Sequence, residues 1–221
     1  MIVFMERIIT ITGVGATSTP PDQISVSIRL ESQDLSYEKA EKEIREKTAN
    51  LQQSVKDCGL PLENLKTANW YVRTITRLNK NQEEIFCGYH FRHLLEFHLN
   101  LNFSLLTRFL QSISDHHVCP ALSIQFKLEN PAAVKEELLV SATKDARKKA
   151  EILASASGVS LGKLLRIDYS WGEIQVSSPT RYEDGRFADM LYSFSKSDSM
   201  EDICPQEIKN QEHATFVWEI L

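Results

Sequence analysis

The sequence predicts an α+β fold in which a largely antiparallel β-sheet carries helices packed on one face. Segments with alternating apolar residues, which indicate strands, come mostly in neighbouring pairs along the chain. Segments with an apolar residue every three or four positions, which indicate helices, lie between some of these pairs. The predicted order is therefore β-β-α-β-β-α-β-α-β, followed by a long polar insert and a last β-strand.

Composition limits what the protein can be. Its 221 residues are 42% hydrophobic, which is enough for one large domain, and we expect residues 1–221 to form a single one. Lys and Arg number 25 against 30 Asp and Glu, and this net charge of −5 argues against a nucleic-acid partner. No apolar run is long enough to cross a membrane, so no membrane insertion is expected.

Two further features predict a cytoplasmic protein. The apolar opening Met1–Met5 is too short for the core of a signal peptide. The four cysteines are widely spaced and form no CxxC motif, which indicates free thiols in a reducing compartment.

The first two predicted strands are Arg7–Val14 and Gln23–Ser32, which alternate and are rich in β-branched residues. Between them, Gly13-Val14-Gly15 has the letters of a phosphate-binding loop. Pro20 and Pro21 follow, however, and this context cannot open the helix that such a loop needs. We therefore predict a turn or a β-bulge at the two glycines.

The middle of the chain predicts a helix and a long hairpin. The helix begins with Ser36 as its cap and ends near Cys58. Strands Leu65–Thr76 and Ile85–Leu101 follow, joined by the polar tip Asn79–Gln82.

One face of the strand Ile85–Leu101 is apolar, while the other carries His90, Arg92, Glu96 and His98. Because histidine changes charge near neutral pH, this second face could be a titratable patch at a subunit contact. The alternative is a solvated sheet face with cross-strand pairs. We favour the alternative, because a sheet with helices on one side leaves its other side wet.

A short helix starting near Asn102 and a strand Ala121–Leu128 lead to the best-marked helix of the chain, Pro131–Ser157. Asn130 is its predicted cap and Gly158 its left-handed stop. Much of its apolar stripe is alanine, so its backbone should lie close to a sheet. The stripe consists of Val134, Leu138, Ala142, Ala146, Ala150 and Leu153.

The strand Lys163–Tyr169 is followed by a polar insert from Gly172 to Asn210, with weak periodicity. Arg186–Phe194 could form a helical turn inside it, and Ala214–Leu221 is the last predicted strand. Connections this long are usually functional or mobile. The insert is therefore a candidate contact for a neighbouring subunit or for another protein.

His116-His117-Val118-Cys119 is the sole cluster that resembles metal ligands. Zinc needs about four ligands that converge at ~2.0–2.3 Å, and adjacent histidines rarely point the same way. A polar loop before a strand is the preferred interpretation. The sequence shows no Gly-x-Ser-x-Gly elbow and no Walker loop. We thus predict no catalytic residue, no cofactor-binding residue and no metal ligand.

Several short motifs in order along the chain resemble the SIMPL-domain family, long described as a domain of unknown function. The resemblance runs from about Ile8 to Leu221. The motifs are Gly13-Val14-Gly15, Pro20-Pro21-Asp22, Thr67-Ala68-Asn69-Trp70, Gly88-Tyr89, Asp145–Glu151 with Leu153-Ala154, Leu161-Gly162-Lys163 and Pro205–Ile208.

The resemblance implies an α+β fold and self-association, since some relatives build ring- or channel-like homo-oligomers. Other relatives have been linked to oxidative-stress defence or to binding a signalling kinase. No catalytic residues are established across the family, so none carries over. Two features depart from it: many bacterial relatives are exported whereas this chain lacks a signal sequence, and the insert is longer and more polar than usual.

Our first hypothesis is a non-enzymatic, homo-oligomerising scaffold or interaction protein of the SIMPL type, with a stress-related role. The second is a metal-dependent or small-molecule-processing enzyme that uses His116, His117 and Cys119. The third is a monomeric module that binds a protein partner through the insert.

Overall fold

A computed structural model of the chain describes residues 7–170, 172–183 and 203–221. Its contacts group these residues into two compact units. The three-stranded unit takes residues from Met1–Pro21, Leu128–Pro179 and Gln206–Leu221, and the five-stranded unit takes them from Asp22–Lys127 and Thr180–Pro205. Both sheets are antiparallel where their pairing is described, and helices pack on them, so the α+β class is confirmed. The prediction of a single domain stays a prediction.

The sheet of the three-stranded unit has the order β1-β8-β6. Strand β1 (Ile8–Thr19) pairs with β8 (Ile208–Ile220) over its whole length without a register shift. Strand β6 (Leu161–Asp168) pairs with the other side of β8, and two register shifts interrupt that pairing. Helix α3 (Pro131–Ala156) packs mainly on β1 and secondarily on β8.

The prediction of a turn or bulge at Gly13 and Gly15 is wrong, because both lie inside β1. Their role is steric. A Cβ atom added to Gly13 would lie 2.0 Å from the carbonyl oxygen of Ala142, and one added to Gly15 would lie 2.0 Å from the carbonyl oxygen of Leu138. The glycines therefore let the backbone of α3 cross the strand at a distance that no side chain permits.

The predicted start and stop of α3 are confirmed. The side-chain oxygen of Asn130 accepts a hydrogen bond from the backbone N–H of Ala133 (3.3 Å), and Pro131 is the first helical residue. Gly158 follows the helix with φ +72. These are the local features that the residue types predict at the two ends.

The predicted stripe of α3 is confirmed from Val134 to Ala150 and wrong at Leu153, which is exposed. Ala154 is buried in its place. The buried seam follows a strict four-residue spacing along the helix, and this row continues from Ala150 to Ala154 and not to Leu153.

The sheet of the five-stranded unit has the order β3-β4-β2-β5-β7. In chain order, its strands are β2 (Gln23–Asp34), β3 (Leu65–Leu78), β4 (Glu84–Asn100), β5 (Ala121–Lys127) and β7 (Ser177–Glu183). A short 3₁₀ turn, Leu62–Asn64, precedes β3.

Helices α1 (Tyr37–Asp57) and α2 (Phe103–Asp115) pack on one face of this sheet and share its core. The position of Ser36 as cap of α1 is confirmed, but its side chain makes no capping bond. Its backbone N–H instead donates to Asp34 Oδ1 at 2.7 Å. The largest fully buried side chains include Phe91, Phe97, Phe109, Ile24, Ile28 and Leu30.

The polar hairpin tip is confirmed: Asn79 Oδ1 accepts the backbone N–H groups of Asn81 (2.8 Å) and Glu83 (2.9 Å). The insert is more structured than its composition predicts. It contains β7, and β8 begins at Ile208, six residues before the predicted last strand. The predicted helical turn Arg186–Phe194 lies outside the described residues.

Candidate functional site

A groove of about 500 Å³ opens between α3 and the β6 side of the three-stranded sheet. It exists because, among the described residues, α3 packs mainly on β1 and β8 and contacts the third strand little. Most of the groove is apolar, and the rings of Phe216 and Trp218 stack along it with centroids 5.5 Å apart. The aliphatic side chains that line it are Leu139, Leu161, Leu164, Ile167 and Ala214.

The register shifts of β6 build this groove. Residues three apart on a regular strand point to opposite faces. The shift between Leu164 and Arg166 adds one residue, so that Leu164 lies opposite Trp218 and Ile167 lies opposite Phe216. Both side chains consequently reach the groove face. A β-bulge that redirects a side chain in this way is a common feature next to binding surfaces.

Strand β6 is also an edge of the sheet, and no strand of the described residues pairs with its outer side. Leu164 is 47% exposed, Ile167 is 53% exposed and Leu165 is 56% exposed. Natural proteins usually protect sheet edges with charge, proline or a covering element. Here three large aliphatic side chains face solvent within four residues, although Lys163, Arg166 and Asp168 lie among them.

The groove also has a polar part, which includes Thr143, Arg147 and Glu151. Arg147 Nε donates to Glu151 Oε1 at 2.9 Å on the outer side of α3, and Thr143 lies one turn before Arg147. Tyr169 also lines the groove, and burial together with the charge of Glu212 raises the pKa of its hydroxyl. The described residues of the lining include no histidine or cysteine. Its aliphatic and aromatic side chains are suited to holding apolar groups.

At the opposite edge of the same sheet, α3 satisfies one outward backbone group of β1. Asp145, from α3, accepts a hydrogen bond from the backbone N–H of Val14 (2.8 Å) at the outer side of β1. Its carboxylate also pairs with Lys149 at 2.6 Å. The Lys149 ammonium, followed by the Val14 N–H, lowers the pKa of Asp145. The Asp145 motif, which is the most specific motif of the sequence resemblance, thus binds α3 to β1.

In the five-stranded unit, β3 is an edge strand bordered by aromatic residues, and its outer side is unpaired in the part of the chain that the structure describes. The Trp70 ring lies 6.3 Å from Phe91, and Phe91 lies 5.2 Å from Tyr37. Trp70 and Tyr37 are both exposed, at 41% and 44%. Exposed aromatic side chains in a group are characteristic of protein interaction surfaces.

His93 fixes β3 to the rest of this unit. Its ring is buried, with Nδ1 3.1 Å from the hydroxyl of Thr48 on α1 and Nε2 2.9 Å from the hydroxyl of Thr67 on β3. The Thr48 hydroxyl donates its proton to the carbonyl of Ile44 (2.8 Å). His93 must therefore donate from Nδ1 and accept from Thr67 at Nε2, as a neutral ring. Burial lowers its pKa accordingly.

The polar face of β4 contains the predicted cross-strand pairs. Arg92 Nε donates to Glu31 Oε1 at 2.6 Å, directly opposite on β2, and its guanidinium lies 5.2 Å from the centroid of the Tyr71 ring. His90 is nevertheless buried, so the prediction of a solvated face is wrong at that residue. His90 lies between two flanking strands, directly opposite Arg73 on β3 and Gln33 on β2. Whether this face contacts a subunit stays a prediction.

The three residues of the possible metal cluster do not converge. His116 Nε2 bonds to Asp57 Oδ2 at 2.7 Å, whereas His117 and Cys119 are exposed and separated by the buried Val118. In the part of the chain that the structure describes, no three His, Cys, Asp or Glu residues lie close enough to hold a metal ion.

The His116–Asp57 pair joins the end of α1 to the turn after α2, and this hydrogen bond lowers the pKa of Asp57. Cys58 lies in the same depression, and burial raises the pKa of its thiol, which keeps it unreactive. No local pattern in the sequence indicates this pair, because Asp57 and His116 are 59 residues apart.

Comparisons with known proteins identify the family. No curated protein matches the chain. Two crystal structures from Listeria innocua, one of an uncharacterized conserved protein and one of a hydrolase, each show 8% identity over 95% of this chain and 92% of theirs. Their TM-scores are 0.20 and 0.19, too low for either structure to bear on fold or function.

No helix among the described residues is long and apolar enough to span a membrane.

The profile of the family described as "SIMPL: Protein of unknown function (DUF541)" matches residues 9–218, which include both glycines of β1, the Asp145 motif and β6. Since this match extends over nearly the whole sequence, the chain belongs to the SIMPL family.

Proposed function

We propose that the protein is a non-enzymatic scaffold that assembles with copies of itself, and that β6 and the adjoining groove are covered by a second copy. The observation that carries this proposal is the aliphatic edge of β6, where Leu164, Leu165 and Ile167 are each about half exposed. A stress-related role and a cytoplasmic location stay predictions from the sequence.

The energetics favour covering this edge. Burying the exposed half of one large aliphatic side chain contributes about 1 kcal/mol. Three such residues on each of two copies, together with the groove they border, contribute several kilocalories per mole. Association itself costs roughly 4–15 kcal/mol. The β6 region therefore supplies a substantial part of an interface and needs further contacts around it, which suits an assembly with more than one contact surface per chain.

Solution mass tests the proposal. We expect the wild-type protein at micromolar concentration to have a mass above the 25.2 kDa of a single chain in sedimentation or native mass measurements. The double substitution Leu164→Lys with Ile167→Lys should shift the assembly toward single chains, by at least tenfold in the dissociation constant.

A matched control comes from α3. Val140 is 47% exposed, like Leu164, and Ile152 is 56% exposed, and neither lines the groove. Val140→Lys with Ile152→Lys adds the same charge to the same unit and should leave the mass unchanged. A wild-type protein that stays at the mass of one chain, or a control that dissociates as much as the groove variant, would contradict the proposal.

A further inference from the structure

The second open edge, β3, has a chemistry different from that of β6. It lies at the end of the five-stranded sheet, and no other strand of the described residues pairs with its outer side. Between two register shifts, Asn69–Ile75 pairs with β4 as an uninterrupted run. This run is rich in aromatic and β-branched residues and contains no proline or glycine, so its backbone is regular enough to accept another strand.

The charge of β3 is opposite to that of the whole chain. Its 14 residues include Lys66, Arg73 and Arg77 and no acidic residue, whereas the chain has a net charge of −5. All three basic side chains are exposed, and none forms an ion pair within the described part of the chain. Unpaired charges of one sign along a strand edge repel a like strand and attract an acidic one.

A second copy of β3 is therefore a poor partner. Pairing of two such edges would bring six basic side chains together without a single acidic residue on either strand. Like charges across a strand pair are destabilising. The same argument separates β3 from the aliphatic edge β6, whose strand carries Lys163, Arg166 and Asp168 and so has both signs of charge.

The two faces of β3 specify a partner with alternating side chains. On the face shared with the core, Trp70 and Val72 are each 41% exposed and border the ring of Phe91. On the other face, Arg73 lies opposite His90 on β4. A strand added beside β3 would place apolar side chains against Trp70 and Val72 and acidic ones near Arg73.

We infer that β3 is a docking edge for an extended segment of another protein in which apolar and acidic residues alternate, bound by strand addition. Backbone hydrogen bonds to the run Asn69–Ile75 supply affinity, and Arg73 selects for acidic side chains. This interaction goes beyond self-assembly through β6, since it uses a different edge, a different unit of the fold and a partner of opposite charge.

The experiment uses the full chain and a labelled, capped nonapeptide that alternates Val and Glu. Binding is measured by fluorescence anisotropy, with an otherwise identical Val–Lys peptide for comparison. We expect the Glu peptide to bind at least tenfold more tightly than the Lys peptide. Two Glu peptides N-methylated at alternate positions should differ, because only one set of N–H groups faces β3. One should lose binding and the other should keep it.

Two protein variants complete the test. Arg73→Glu should abolish or reverse the preference for the Glu peptide. Arg108→Glu, an equal charge change at an exposed arginine of α2 without an ion pair in the described residues, should leave it intact.

Four outcomes would overturn the inference. They are equal binding of the Glu and Lys peptides, equal binding of the two N-methylated peptides, no binding of the Glu peptide up to millimolar concentration, and a change in solution mass on Arg73→Glu. The last would show that β3 pairs with a second copy. The Leu164→Lys, Ile167→Lys variant should bind the Glu peptide normally, so that failure of self-assembly and failure of peptide binding are told apart.

Discussion

The two edges of the three-stranded sheet are built in opposite ways. At β1, glycines bring α3 into backbone contact, alanines keep it there, and Asp145 takes up the outward N–H of Val14. At β6, no helix covers the strand among the described residues, and Leu164 and Ile167 turn toward an open groove. The same sheet thus has one edge strand packed closely by its own helix and one edge strand left apolar.

This difference shows that the open edge is specific to β6 and is not a general property of the sheet. Closing β1 takes two glycines inside a strand, where glycine is unfavourable by about 0.5–1 kcal/mol each relative to alanine. The described residues carry that cost at β1 and show no equivalent packing at β6. An apolar edge strand beside one packed so closely by its own helix supports the proposal that a second copy covers β6.

Breaking the closed edge should have the largest effect. Gly13→Ala places a Cβ atom 2.0 Å from the carbonyl oxygen of Ala142, a backbone atom that cannot rotate away. We expect the helix to be displaced and the free energy of unfolding to fall by about 3 kcal/mol, as in overpacked cores. Urea denaturation followed by far-UV circular dichroism measures this change.

Gly158→Ala is the matched control in the same unit. A Cβ atom there meets nothing within 4 Å, and the only cost is the positive φ of +72. That cost is about 1 kcal/mol. If the two substitutions destabilise the protein equally, close packing of α3 on β1 is not what the glycine provides.

The second test concerns the other edge strand, β3. His93 links it by hydrogen bonds to helix α1. Replacing His93 by Gln removes a ring that satisfies the hydroxyls of Thr48 and Thr67. We expect the free energy of unfolding at pH 7.5 to fall by about 2 kcal/mol, because buried polar groups lose their partners.

The pH dependence of that variant isolates His93 from the other histidines. Because burial lowers its pKa below the ordinary 6.5, the unfolded chain binds a proton more readily than the folded one. Its contribution to stability is therefore complete above pH 6.5 and is lost as the pH falls toward the folded pKa. Wild type should lose stability over this range, and His93→Gln should lose less. Parallel pH profiles for the two proteins would contradict this assignment.

The features that the sequence predicted correctly depend on neighbouring residues. The features that it missed depend on contacts between residues far apart in the chain. The signals for the start and the buried face of α3 all lie within that helix. Asn130 and Pro131 identify its first turn, and periodicity identifies most of the buried alanine seam. The structural role of Gly13 depends on its close contact with Ala142, which is more than a hundred residues away in the sequence. No pattern near the glycines distinguishes a strand crossed by a helix from a turn.

The groove and β7 were missed for related reasons. Leu164 and Ile167 share a face only because β6 slips in register against β8, and this slip is a property of the pair of strands. Strand β7, Ser177–Glu183, lacks apolar alternation and contains Pro179. Its position at the end of the five-stranded sheet explains why such a sequence is tolerated there.

The smallest expected effect distinguishes steric from electrostatic closure of β1. Asp145→Asn keeps an oxygen that can accept the Val14 N–H but removes the charge that pairs with Lys149. Because the folded pKa of Asp145 lies below its ordinary 3.8, its contribution to stability is present above pH 3.8 and is lost as the pH falls through the folded value. The difference in stability between wild type and variant should therefore shrink in acid.

Denaturation at pH 7 and pH 2.5 measures that difference, with Glu151→Gln as a control that breaks a more exposed ion pair of the same helix. Asp145 is solvent-accessible, so its ion pair is screened, and we expect its removal to destabilise the protein far less than Gly13→Ala does. If Asp145→Asn were the more damaging change, the edge of β1 would be closed chiefly by charge, and the contrast with β6 would rest on one carboxylate instead of on backbone packing.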